Sequence, residues 1–164
     1  MKLLENKTVI ITGASRGIGR GIALVLASHG ANIAFTYSKS VDSANELIEE
    51  MSKFNINCKA YQSDAASFED SQKFVDLVIK DFGTIDVLVN NAGIGYYSQV
   101  KDLDMKKSRY LFEVNFFGLV LCTRECLKLM KKDSKILNVT SEVSYRGMPV
   151  MSIYCASKAA VKSF

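Results

Sequence analysis

Tyr154 and Lys158 stand four residues apart, a separation that on a helix puts a phenol and an ammonium on one face. A free tyrosine ionises near pH ~10 and is a poor acid–base group at neutral pH. A cation held beside it favours the phenolate and lowers that value. The pair is therefore suited to moving a proton, with Lys158 making Tyr154 competent. The same spacing taken alone more often describes a half-buried aromatic beside a surface lysine, and only accompanying motifs separate the two cases. Ser141, just upstream and directly after an apolar run, adds a hydroxyl to the set.

The strongest accompaniment is Thr12-Gly13-Ala14-Ser15-Arg16-Gly17-Ile18-Gly19, a glycine-rich turn between a β-branched run and an apolar-periodic one. Gly13 permits the tight turn, Gly17 lets the backbone approach phosphate, and Gly19 lets helix and strand pack closely. A helix opening there turns free N–H groups and a partial positive charge toward a pyrophosphate. The Lys-Ser/Thr ending of a P-loop is missing, which disfavours an ATPase or GTPase. An NAD enzyme usually places an acid about 20 residues past the glycines to hold the ribose 2′-OH. Here that position reads Thr36-Tyr37-Ser38-Lys39, and the first acid is Asp42. Arg16 and Lys39 are suited to pairing with a 2′-phosphate, so NADP is favoured over NAD, although an exposed Lys39 is also explained by simple solvation. Asn90-Asn91-Ala92-Gly93 reads as an ordinary turn by itself, but after a central strand it would lie beside the cofactor.

These motifs need elements to position them. Thr8–Thr12, Asn32–Tyr37, Cys58–Gln62, Val87–Asn90 and Lys135–Thr140 read as strands. Helices are expected up to about Ser28, over Asp42–Phe54, over Phe68–Phe82, as one long helix from Asp104 to about Met130, and from Ser152 onward. Strands alternating with helices, with no tight hairpin signal, imply right-handed crossovers and a parallel, doubly wound α/β sheet. Ligands bind such sheets at the carboxyl ends of the strands, and every motif above falls at one of those ends.

Composition agrees and excludes other classes. The 164 residues suffice for one domain and one sizeable core; 48% are apolar and 23% charged. Residues 1–7 lack the apolar stretch of a signal peptide, and Phe116–Cys122 is too short to span a membrane. Cys58, Cys122, Cys126 and Cys155 form no CxxC pair and read as reduced thiols of a cytoplasmic protein. His29, the one histidine, lies at the far end of the first helix from the glycine turn. A Ser-His-Asp hydrolase and a histidine-based metal site are thereby excluded, and no metal is expected. Between Lys101 and Lys132 eight Lys/Arg face four Asp/Glu, an excess equal to the whole net charge of +4. That segment reads first as a solvated helix face and second as a landing patch for an acidic partner; nothing points to nucleic acid.

With TGASRGIG, NNAG, Asn115, Ser141 and YCASK in order, the whole chain resembles the short-chain dehydrogenase/reductase family, most closely its β-ketoacyl-[acyl-carrier-protein] reductases. The resemblance implies a Rossmann-like sheet of order 3-2-1-4-5 and hydride transfer between NADP(H) and a carbonyl or alcohol. It also implies a catalytic set of Asn115, Ser141, Tyr154 and Lys158. Ser141 would orient the substrate oxygen and Tyr154 would exchange its proton. Lys158 would bind the nicotinamide ribose, and Asn115 would hold a water joining the lysine to solvent. Cofactor binding would fall to Gly13, Ser15, Arg16, Gly17, Ile18, Gly19, Ser38, Lys39, Asp64, Ala65, Asn91, Ala92, Gly93, Tyr154 and Lys158, with Asp64 and Ala65 at the adenine and Asn91 at the adjoining ribose. An acyl thioester on an acidic carrier protein would suit the basic segment.

Two departures leave the substrate open. After NNAG the chain reads Ile94-Gly95-Tyr96-Tyr97-Ser98, and Asn115 is followed by Phe116-Phe117-Gly118, more typical of general-purpose members. Another small alcohol or ketone is the alternative substrate. Tyr96, Tyr97 and the Arg146–Ile153 loop are expected to line the pocket. The apolar Phe116–Leu121 stretch suggests a homo-oligomer. Ala156–Phe164 stops without a cap or stop signal, and the fifth strand would be an apolar sheet edge. The single domain 1–164 is therefore expected to be C-terminally truncated, its last strands missing. A non-catalytic NADP-binding fragment is the reading from a different class.

Overall fold

In the computed structural model, which describes residues 2–164, the five expected runs form one parallel sheet of order β3-β2-β1-β4-β5. The strands are β1 (Thr8–Ile11), β2 (Asn32–Tyr37), β3 (Cys58–Gln62), β4 (Val87–Asn90) and β5 (Lys135–Asn138). Helices α1 (Gly17–Ser28), α2 (Val41–Ser52), α3 (Phe68–Phe82), α4 (Met105–Phe112), α5 (Gly118–Leu127) and α6 (Ser152–Ser163) connect or follow them. Element ends differ from the sequence expectation by a residue or two: β1 stops at Ile11 and β5 at Asn138.

The two-residue period of a strand sends neighbouring side chains to opposite faces. Val9, Ile11, Ile33, Phe35 and Val89 meet Ala23 and Ala27 of α1 and Ala44, Leu47 and Met51 of α2 on one face. Ile10, Ala34, Tyr61 and Leu88 meet Phe74, Val75 and Val78 of α3 and Cys122 and Cys126 of α5 on the other. Burial on both faces explains why β1 is apolar or β-branched at every position and has no polar alternation. Each such Val, Ile, Leu or Phe contributes about 1.5–3 kcal/mol on leaving water.

β4 and β5 are held in register by a polar link as well as by the ladder. Asn90 Nδ2 donates to Asn138 Oδ1 across the strands and to Thr123 Oγ1 on α5, both at 2.9 Å, and Asn90 pairs with Asn138 in the ladder. The outer side of β5 is half open, with Leu137 51% exposed.

The long helix expected from Asp104 to about Met130 is instead three segments. Asp104 caps α4, its carboxylate accepting from the N–H groups of Lys106 and Lys107. A π turn over Glu113–Phe117 then separates α4 from α5, and α5 ends at Leu127. The 3.6-residue period is lost for one wide turn, a feature frequently found at functional sites.

Candidate active site

The glycine turn follows β1 and opens α1, as its spacing predicts. Gly13 has φ +66°, and a Cβ there would stand 2.9 Å from Ala92 Cα. At Gly19 a Cβ would fall 2.4 Å from Asn91 Nδ2, so α1, the turn and the segment after β4 approach more closely than any other residue allows. Two threonines fix the turn. Thr36 Oγ1 accepts from Gly13 N–H at 2.9 Å, and its carbonyl accepts from Ala14 N–H. Thr12 Oγ1 accepts from both Asn91 and Ala92 N–H.

The first turn of α1 has no capping side chain, a property it shares with α2, α5 and α6 but not with α3 and α4. α3 is capped by Ser67, and α4 by Asp104. The N-cap of α1 is Arg16, with no side-chain cap and no acid in the first turn. Its leading N–H groups are thus left for an anion. Nothing lies within 4 Å of a Cβ placed at Gly17, and Ile18 is 69% exposed. Ser15 is buried beneath the turn. Ser38 and Lys39 follow β2, both exposed. Among the described residues neither Arg16 nor Lys39 is paired with a carboxylate.

Beside the turn, a small pocket of about 20 Å³, room for roughly one water, is lined by Thr12, Thr36, Ser63, Ala65, Asn90 and Gly118, among others. Asn90 Oδ1 is buried there without a protein donor. Ala65, expected at an adenine, lines this pocket. Asp64 is exposed beside it and bonded locally, its carboxylate to Ala66 N–H and its own N–H to Asp70. Asn91 turns inward: both amide hydrogens go to the carbonyls of Thr12 and Gly13, leaving only its oxygens to meet a ribose. An uncapped helix start over open space, reached through a glycine turn, fits the phosphates of a dinucleotide.

At the other end of the crevice, α6 carries Tyr154 and Lys158 on one face, with Lys158 Nζ 6.0 Å from the phenol ring centroid. Lys158 is 5% exposed. Its ammonium donates to Val139 O at 2.9 Å, and burial pulls its pKa below the ordinary lysine value. A Cβ at Gly93 would come within 3.6 Å of the same nitrogen and 3.4 Å of Asn115 Oδ1. Ala92 lines the neighbouring pocket. Ser141 follows β5, half-buried, its Oγ accepting from Val143 N–H at the head of a short 3-10 turn. Among the described residues the Tyr154 hydroxyl has no hydrogen-bond partner.

Asn115 sits in the π turn, 1% exposed. Its Oδ1 accepts from Ile94 N–H at 2.7 Å, and its Nδ2 donates to Ile94 O and to Ser157 Oγ. The side chain therefore ties the loop after β4 to the catalytic-motif helix. Thr140 Oγ1 adds a second tie, to Lys158 O at 3.0 Å. Thr36, Ser157, Thr140 and Gly118 were not singled out by sequence reasoning. Only Thr36, at the end of a strand facing the glycine turn, carried a positional signal. His29 lies at the opposite end of α1, where its main-chain N–H closes the helix. Among the described residues no three His, Cys, Asp or Glu side chains gather to hold a metal, and no helix is long and apolar enough to cross a membrane.

Comparison with known proteins agrees with this geometry. Residues 7–164 match the family described as short chain dehydrogenase. The chain is 35% identical over 158 residues to 3-oxoacyl-[acyl-carrier-protein] reductase of Staphylococcus epidermidis, covering 95% of this chain and 65% of that protein. It is also 35% identical to the chloroplastic NADPH-dependent aldehyde reductase 1 of Arabidopsis thaliana, covering 98% and 58%. Among solved structures, a short chain dehydrogenase from Burkholderia cenocepacia in complex with NADP superposes with a TM-score of 0.94 at 32% identity, covering 98% and 66%. An NAD+-bound xylitol dehydrogenase gives 0.94 at 28%, covering 99% and 63%. The chain thus spans less than two thirds of the length of each of these relatives.

Proposed function

Since the chain belongs to the short-chain dehydrogenase family, we propose that it serves an NADP(H)-dependent oxidoreductase acting on a carbonyl or alcohol, with 3-oxoacyl thioesters as the substrate class. The observation that carries this is the convergence of Tyr154 and the buried Lys158 with Gly93 and Asn115, at the carboxyl end of the sheet where the uncapped α1 also starts. NADP is preferred over NAD because Arg16 and Lys39 are exposed and unpaired beside Ser38, where an acid would otherwise hold a ribose hydroxyl.

The bound dinucleotide supplies the hydride at its nicotinamide carbon. In the reducing direction Ser141 Oγ–H donates to the substrate oxygen and holds it against Tyr154. The Tyr154 hydroxyl gives up its proton to that oxygen, and the nearby ammonium of Lys158 stabilises the phenolate left behind. Both amide hydrogens of Asn115 are already used. A water serving Lys158 would therefore meet only acceptors on Asn115, its Oδ1 or its main-chain carbonyl in the widened turn. The exposed cations of 101–132 would receive an acidic carrier protein, and Phe117, Tyr110 and Leu127, all exposed apolar surface, would meet a second copy of the chain.

A second reading, reduction of a small free ketone or aldehyde, takes its support from the likeness to an NADPH-dependent aldehyde reductase. NADPH consumption with an acetoacetyl thioester and with small ketones separates the two. Titration by NADPH fluorescence, with and without Arg16→Ala or Lys39→Ala, tests the cofactor. NADPH bound without turnover of any carbonyl would leave a nucleotide-binding piece, and NADH bound more tightly than NADPH would refute the cofactor reading.

A further inference from the structure

Val150 has φ +57°, a left-handed backbone that is a genuine outlier for a β-branched residue. Its setting explains the geometry. Met151 N–H donates to Met148 O at 3.2 Å, with Pro149 and Val150 between them, which is the pattern of a type II turn. That turn needs positive φ at its third position and normally has glycine or asparagine there. The turn stands directly before α6, four residues ahead of Tyr154. It aims the Val150 carbonyl at the loop after β4, where Ser98 N–H donates to it at 2.8 Å.

That loop is otherwise anchored to its own side. Asn115 holds Ile94 at one end, Tyr96 OH accepts from Asp104 N–H at the other, and Ser98 Oγ reaches the Asp102 carbonyl. Among the described residues the bond from Ser98 to Val150 is the one main-chain hydrogen bond between the loop 91–104 and the segment 141–151. Backbone strain persists only where surrounding structure over-determines it, and it gathers at ligand clamps.

We propose that Val150 is a positioning residue for the substrate. Its strained turn staples the Tyr96–Tyr97 loop to the entry of the Tyr154 helix and so fixes the two walls between which the substrate's organic body lies. The half-exposed Val150 side chain, at 46%, and Tyr97 beside the staple then form an apolar rim. This rests on the oxidoreductase reading for its substrate half, but not for the staple itself.

The test uses two variants of the full chain. Proline cannot adopt positive φ, so Val150→Pro breaks the turn, whereas Val150→Gly keeps its backbone without strain. Hydrogen exchange of the Ser98 amide is expected to stay slow in Val150→Gly and to rise toward the open-loop rate in Val150→Pro. The melting temperature of Val150→Gly should rise by about 2–4 °C, the shift of ~1 kcal/mol in a chain of this size. With a bulky ketone, KM should rise severalfold in Val150→Pro, with kcat moving far less, and Val150→Gly should recover most of the loss. Equal Ser98 exchange in both variants, or no gain in melting temperature for Val150→Gly, overturns the staple. An intact staple with KM unmoved in Val150→Pro overturns the substrate role. If the parent chain turns over no carbonyl, the oxidoreductase reading and the substrate half fall together, and exchange still decides the staple.

Discussion

Gly118→Ala should destabilise the protein although it replaces glycine by the best helix former. Gly118 opens α5 under the turn between β3 and α3. A Cβ built on it falls 2.2 Å from Ala65 O, 3.0 Å from Ala65 C and 3.2 Å from Glu113 O. Ordinary contact needs about 1 Å more, and the obstacles are main-chain atoms that cannot swing aside like a flexible side chain. Overpacking of this kind typically costs about 1–3 kcal/mol, and the upper end applies where two backbones must separate. Helix propensity returns up to ~1 kcal/mol, so the net loss should be about 2 kcal/mol. Gly21→Ala is the matched control: it lies on the exposed side of α1 with nothing within 4 Å of the added carbon, and should gain about 0.5–1 kcal/mol. Urea denaturation reads both as shifts in midpoint at constant slope. Because Ala65 lines the pocket beside the glycine turn, NADPH should also bind Gly118→Ala more weakly. A Gly118→Ala protein as stable as its parent would refute the claim that α5 and the Ala65 turn are in hard contact.

Other outcomes follow from the same geometry. Asn115→Ala strands the N–H and carbonyl of Ile94 and should cost about 3 kcal/mol in urea denaturation, with loss of turnover; a loss under 1 kcal/mol would mean the π turn does not hold the loop. The Asp104 carboxyl is drawn below its usual range by the N–H groups of Lys107 and Lys106. Its stabilisation is present above the ordinary aspartate pKa and is lost as pH falls through the lowered one, so Asp104→Asn should flatten that part of an acid denaturation profile. Lys158 has its pKa lowered by burial, so the unfolded chain binds more protons and stability should rise as pH climbs through the lowered value; Lys158→Met should remove this alkaline slope. Burial pushes the Cys58 thiol up to about 12, and Cys122, Cys126 and Cys155 are buried. A thiol reagent at mild pH should therefore label the native chain slowly and all four cysteines only after denaturation.

Much of this was legible in the sequence because its causes are local. A β-branched run bounded by glycine, an apolar period of 3.6 and a Tyr-x-x-x-Lys spacing each act within one element, so five strands and the placing of every motif at a strand's carboxyl end could be read, whereas the strand order rested on the family resemblance. What escaped notice depends on partners distant in the chain. Gly118 is a glycine because of Ala65, Ser157 matters because of Asn115, and the Val150 turn is met by Ser98 from a distant loop. The π turn was invisible for another reason: one widened turn shifts the apolar pattern by a single position, within the scatter of an amphipathic helix. Asn91, expected beside a ribose, gives both amide hydrogens to the carbonyls of Thr12 and Gly13, a pairing across the sheet that its own segment does not announce.

The Asn90–Asn138 bond sets limits on how far this scaffold tolerates redesign. β5 is four residues long and half open on its outer side, so its apolar side chains alone would not choose one alignment over a neighbouring one. Two amides that must meet at the same rung act as an index mark, since a slip of one residue would turn every β5 side chain to the wrong face and carry Ser141 away from Tyr154. Lys135, Ile136 and Leu137 can then be exchanged for other strand-forming residues, whereas Asn138 is the position a library should hold fixed.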